Sequence, residues 1–148
     1  MLVAAALLAG CGSDSSSNAS ATDAAPLSKA EFIKQADAIC RHGKRAKDNA
    51  VAGELEKAAG LSADKEAYAQ ALAKVVEIAV IPVYSRTIEE LGELGAPRKD
   101  EAEIAKILGK FEAGLEKAEA HPDKAVEASP FAPGSEAAVA YGLDMCNL

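Results

Sequence analysis

Residues 101–120 read EAEIAKILGKFEAGLEKAEA, and their periodicity decides the fold class. Ile104, Ile107, Leu108, Phe111, Leu115 and Ala118 recur at i, i+3, i+4, i+7, i+11 and i+14, which lines them along one face of a helix. Glu, Lys and Ala fill most other positions, so this segment is an amphipathic helix whose apolar stripe needs a partner. It is expected to end near His121 and Pro122, where proline cannot continue the hydrogen-bond ladder.

The same period extends outward on both sides. Upstream, Tyr68, Leu72, Val75, Val76, Ala79 and Val83 form the inward face of a helix opened by Ser62, continued by Ile88, Leu91 and Leu94 and stopped at Gly95, Ala96 and Pro97. Pro82 lies inside this helix and removes the bond to the carbonyl of Ile78, so a kink or restart is expected there. Further upstream, Ser28 and Glu31 have capping-box spacing and Leu27 can staple onto Phe32. Phe32, Ala36, Ile39, Gly43, Ala46 and Ala50 then share a face in a first helix that runs to about Ala58 and ends at Gly60. Downstream, a loop containing Ser129, Pro130, Phe131, Ala132, Pro133 and Gly134 leads to a short last helix, about Ser135 to Leu143. The expected class is all-α, an up-and-down bundle of about four helices with the second kinked at Pro82.

Composition agrees with helix everywhere: aromatic residues are 4% of the 148 and Trp is absent, leaving strong helix formers dominant. The formal net charge of −7 is spread over interspersed acids and bases, which argues against a nucleic-acid partner. It equally disfavours electrostatic adhesion to anionic lipid, so membrane residence would need a covalent or inserted anchor.

The N-terminus offers one. Leu2 to Ala9 is an apolar run too short to cross a bilayer, which takes about 20 residues, but of the length of a signal-peptide core. Leu8, Ala9, Gly10 and Cys11 resemble the lipobox of bacterial lipoprotein precursors, and the resemblance implies lipidation of Cys11. Residues 1–10 are then a signal peptide. The basic leading region of such signals does not precede Leu2, which points to a start upstream of Met1. Residues 12–26, GSDSSSNASATDAAP, contain no large apolar side chain and read as a flexible tether that spans roughly 20 Å. Residues 11–26 are the lipidated cysteine and tether, and 27–148 the extracytoplasmic domain. The competing readings are a frayed start of a buried helix, or a Cys11 that serves as an ordinary disulfide cysteine.

With Cys11 lipidated, two cysteines remain and allow one intramolecular pair, Cys40 with Cys146. Outside the cytoplasm that disulfide is expected to form; the alternatives are two buried free thiols, or a metal-binding or reactive thiol. Ala36-Asp37-Ala38-Ile39-Cys40, the interior Pro82, and Tyr141-Gly142-Leu143 before Cys146 resemble small exported lipoproteins of actinobacteria over about residues 27–148. That resemblance implies an address and an architecture, and no reaction.

Signals for chemistry are sparse. The two histidines stand in no His-x-x-x-His arrangement, and Cys-x-x-Cys is missing too, so neither a metal nor a cofactor is expected. His42 and Met145 could be drawn together by the disulfide, but His42 is two residues, about 200°, from Cys40 and faces away from it. Glu89, Glu90 and Glu93, with Asp100, Glu101 and Glu103, read as solvated carboxylates on polar faces. No Gly-x-Ser-x-Gly or glycine-rich phosphate loop occurs. The place to look for a ligand is the Pro82 kink, where Tyr84, Ser85 and Arg86 interrupt the apolar pattern; Tyr84 and Arg86 are the candidate binding residues. The competing reading has the kink filled by side chains and Arg86 in water. The function expected from these residues is a non-catalytic, membrane-anchored module on the extracytoplasmic face that binds another envelope component, with a protein as the expected partner. The alternative is a small-molecule or lipid carrier with a cleft near Pro82.

Overall fold

The computed structural model describes residues 26–148, and among them the chain is all-helical, with no strand. The elements are α1 (Lys29–Ala59), α2 (Lys65–Val75), a π-helical turn (Val76–Val80), α3 (Ile81–Glu93), α4 (Glu101–Ala120), α5 (Pro122–Glu127) and α6 (Ala132–Tyr141). They pack as a helical bundle in which α1 lies against both α2 and α3, α4 against α3 and α6, and α5 against α2. The expected signal peptide, Cys11 and all but the last residue of the tether lie outside the described residues.

α1 starts where its local chemistry dictates. The Ser28 hydroxyl accepts from the Glu31 N–H at 3.3 Å, and the Glu31 carboxylate accepts from the Ser28 N–H at 3.0 Å, so two end donors are satisfied reciprocally. Ser28→Ala should destabilise the domain by about 1 kcal/mol and Ser28→Gly by only a few tenths, read as shifts of the urea midpoint. Equal losses for the two would mean that the side-chain bond is not what holds this end. With 31 residues, α1 is about 46 Å long, the longest element.

The second expected helix starts two residues later than read and is divided differently. Asp64, not Ser62, caps α2 by accepting from the N–H groups of Glu66 and Ala67 at 3.0 and 3.1 Å. Upstream of Pro82 the ladder widens into the π-helical turn, and the Ile81 N–H reaches the Val76 carbonyl five residues back. Pro82 therefore sits in the first turn of α3, where a missing N–H costs least. The continuous run Lys65–Glu93 is long and apolar enough by length and composition to cross a membrane. Here it contributes Val75, Val76, Ala79, Tyr84, Ile88 and Leu91 to the buried interior.

Two more differences concern the C-terminal third. Pro122–Glu127 forms the short α5, an element not expected between the end of the third helix and the Ser129–Gly134 loop, because Pro122 opens a helix as readily as it ends one. α6 begins at Ala132 with Pro133 in its first turn and stops at Gly142, whose φ of 111° is left-handed.

The core pools one stripe from each long helix: Phe32, Ala36 and Cys40 of α1; Tyr84, Ile88 and Leu91 of α3; Ile104, Ile107, Phe111 and Ala118 of α4; Ala138 and Tyr141 of α6, with Phe131 and Leu143 flanking it. Two glycines sit at tight helix contacts. Gly134 lies against the Phe111 ring and Gly43 against Thr87, and a methyl group at either position would overlap its neighbour. Thr87, buried at this crossing, donates its hydroxyl to the Val83 carbonyl at 2.8 Å.

Candidate functional site

The C-terminal segment is fastened to the bundle at several points. Cys40 and Cys146 form a disulfide, both are fully buried, and their Cα atoms are 5.0 Å apart. Beside it, the Met145 N–H donates to the Asp37 carboxylate at 3.0 Å. Ser135 in α6 donates to the Leu148 carbonyl at 3.1 Å and accepts from the Leu148 N–H at 3.0 Å, so residues 143–148 fold back along α6. Neither sulfur exists as a free thiol, so the pair serves as a staple.

Tyr141 knots three elements. Its ring meets Phe32 edge-on at 6.2 Å, the Lys29 ammonium stands 3.9 Å from its centroid, and its hydroxyl donates to Asp100 at 2.6 Å. Burial first, then the bond to Asp100 and the negative charges of Asp100 and Glu103, push the Tyr141 hydroxyl well above its ordinary value. Burial also raises that of Tyr84, despite the nearby Lys47 cation. Because both groups are harder to ionise folded than unfolded, the stability they contribute is fully present below about pH 10 and is lost as pH rises beyond it. Urea midpoints should fall above that pH, and Tyr141→Phe should lower the midpoint at pH 7 while making the alkaline fall shallower. An unchanged alkaline slope would show that Tyr141 does not ionise on unfolding in that window.

Tyr84 and Arg86, the candidate ligand residues, are not brought to one cleft. Two residues apart on α3, they point to different sides: Tyr84 is in the core, edge-on to Phe131 at 4.9 Å, whereas Arg86 is exposed. His42 is exposed, Glu89 accepts from the Ser85 hydroxyl at 3.3 Å, and Asp100 is engaged by Tyr141. Among the described residues no group of three or more His, Cys, Asp or Glu side chains is arranged to hold a metal ion.

Concave surface lies elsewhere. A cleft of about 590 Å³ runs between the outer side of α6 and the returning tail, lined by the apolar Ala132, Val139, Ala140 and Leu148 and the polar Ser129, Ser135, Glu136 and Asn147. A second, of about 360 Å³, is formed where α4 passes into α5 and the following loop, and carries Lys117, His121 and Lys124. Ser129 lines both. Others are found at residues 26–29 with 97–100, about 380 Å³, and between the end of α1 and α2, about 140 Å³. None of the four includes Val83, Tyr84 or Arg86 in its lining. The α6 groove escapes a sequence reading because Leu148 reaches it only through the tail's return. The one local signal is Val139, an apolar residue one step off the buried Ser135, Ala138 and Tyr141 stripe.

Comparisons with protein families, with curated proteins and with solved structures find no match to this chain.

Proposed function

We propose that the chain is a lipoprotein, held on the extracytoplasmic face of the cell membrane through acylated Cys11, whose domain binds another envelope component, a protein, without catalysing a reaction. In this reading it resembles the small exported lipoproteins of actinobacteria, and residues 1–10 and 12–26 act as signal and tether. The supporting observation is the buried Cys40–Cys146 disulfide, a bond that persists outside the reducing cytoplasm and is what an exported domain would use. In this reading the bundle is an up-and-down arrangement of α1, the Lys65–Glu93 run turned near Pro82, α4 and α6, and the supporting observation is that α1 packs on α3, α3 on α4 and α4 on α6. Phe32, Phe111 and both disulfide cysteines are buried to within 1% in its interior, and the outer surface is read as the recognition face.

The test is performed in the native host. Metabolic labelling with a radioactive fatty acid should mark the protein and fail to mark Cys11→Ser, and crosslinking in native membranes should recover one specific neighbour. An unlabelled wild-type chain in the cytosol, or crosslinking without a specific neighbour, would overturn the anchor or the binding half of the reading respectively. The carrier alternative gains its support from the groove on α6 rather than from the region of Pro82.

A further inference from the structure

A net charge of −7 disfavours adhesion of the chain as a whole to an anionic surface, but the fold gathers part of its positive charge on one side. Between Asp37 and Asp48, α1 carries Arg41, Lys44, Arg45 and Lys47 and no acidic residue. No other part of the chain packs four cations into ten residues. Helical spacing turns this segment two ways. Phe32, Ala36, Cys40 and Gly43 are buried, whereas Lys34, Ala38, Arg41, His42 and Arg45 are exposed, with Lys44 half-buried at their margin. The two acids that bracket the stretch are engaged: Asp37 accepts from the Met145 N–H at 3.0 Å, and Asp48 pairs with Lys47 at 2.6 Å. α4, with five Glu against three Lys, packs on α3 and α6 rather than on α1. A helix out of contact with α1 stands more than one interhelical spacing of about 8–10 Å away, and the screening length at physiological ionic strength is about 8 Å.

Lys34 to Arg45 covers about 16 Å of helix, so the cations form a row along the axis that meets a plane only when α1 lies parallel to it. Ala38 is the one apolar side chain among these exposed residues, which suits contact with charged headgroups and not insertion. In the lipoprotein reading such a plane is close at hand. Cys11 lies fifteen residues before Pro26, and α1 starts at Lys29.

We infer that the exposed side of α1 over residues 34–45 is a docking face for an anionic bilayer, with Lys34, Arg41, Lys44 and Arg45 against lipid phosphates and α1 lying along the membrane. The anchor keeps the phosphates at high local concentration, so the row need supply only orientation. α4 and α6 are then turned away from the bilayer, toward any other envelope component. The inference rests on the lipoprotein reading for the nearness of the membrane.

The experiment uses the full oxidised chain carrying Cys11→Ser, so that attachment by an acyl group cannot mimic adhesion. Cosedimentation with phosphatidylglycerol vesicles at low ionic strength should show saturable binding that salt abolishes, and phosphatidylcholine vesicles should bind none. In isotope-labelled protein, phosphatidylglycerol bicelles should perturb the amide signals of residues 34–48. Arg41→Gln, Lys44→Gln and Arg45→Gln together should weaken binding at least about tenfold. Lys106→Gln, Lys117→Gln and Lys124→Gln, an equal change of net charge at exposed positions off α1, should leave most of it. The inference is overturned by absent or salt-insensitive binding, by equal binding to the neutral vesicles, or by equal losses in the two triple variants. Capture of soluble polyphosphate in preference to vesicles would also overturn it, by making the row a site for an envelope polyanion. Acylation of Cys11 is read separately by fatty-acid labelling: a labelled chain without vesicle binding loses only this face, and an unlabelled one that binds vesicles loses only the anchor.

Discussion

Replacement of Phe111 by alanine is expected to lower the stability of the domain by about 3–5 kcal/mol, the largest single-side-chain effect foreseen here. Phe111 is fully buried at the middle of α4, on the stripe that faces α6. The loss has two parts: the transfer free energy of the ring, and a cavity that the surroundings cannot collapse to fill. Collapse is hindered because the ring's near neighbour on α6 is Gly134, which has no side chain to swing in. The complementary change makes the same point from the other side. Gly134→Ala places a methyl group against the ring and should cost about 1–3 kcal/mol through overpacking. The two sites touch, so Gly134→Ala combined with Phe111→Leu should be less destabilised than the sum of the single variants. Urea unfolding of the four proteins measures this cycle, and strict additivity would disprove the ring-to-glycine contact as the source of both effects.

Loss of the Cys40–Cys146 bond should be of similar size. The bond joins residues 106 apart, and for a loop of that length the restriction of the unfolded chain corresponds to roughly 4–5 kcal/mol, with about 2–5 kcal/mol typical of measured losses. That is a large share of the 5–15 kcal/mol, approximately, by which domains are stable. The double variant Cys40→Ala, Cys146→Ala should therefore unfold at much lower urea than the parent, and a reductant should bring the parent to the same midpoint. Both sulfurs are inaccessible in the folded protein, so reduction should be slow in buffer and accelerate when urea opens the structure. Amide exchange should rise most in residues 142–148, whose remaining ties are hydrogen bonds such as Met145 to Asp37 and Leu148 to Ser135. Matching midpoints with and without the bond would mean that these contacts already hold the tail by themselves.

The disulfide also supports the last helix of the bundle. α6 has ten residues, too few to persist alone in water, where isolated helices shorter than about 12–15 residues are marginal. Packing against α4 and the staple to α1 supply what its propensity lacks. The staple fixes the tail to α1, and the Ser135 bonds to Leu148 fix it to α6.

Local chemistry made much of this protein readable from its residues alone. Ser28 and Glu31 announced the start of α1 because a capping box needs only four neighbouring residues. Ile104, Ile107, Phe111 and Ala118 announced the buried side of α4 because a helix repeats on a fixed period, and all four are buried. The pairing of Cys40 with Cys146 followed from cysteine arithmetic once Cys11 was set aside. Tertiary structure decided the rest. It set Asp64 rather than Ser62 as the cap of α2, added the π-helical turn ahead of Pro82, made a helix of Pro122–Glu127, turned Tyr84 inward onto Phe131, and carried Leu148 back beside Val139. Capping and periodicity act over a few residues and leave their mark in order along the chain. Clefts and ring contacts join residues far apart in sequence, and their position is settled only when the stripes of several helices compete for the same interior.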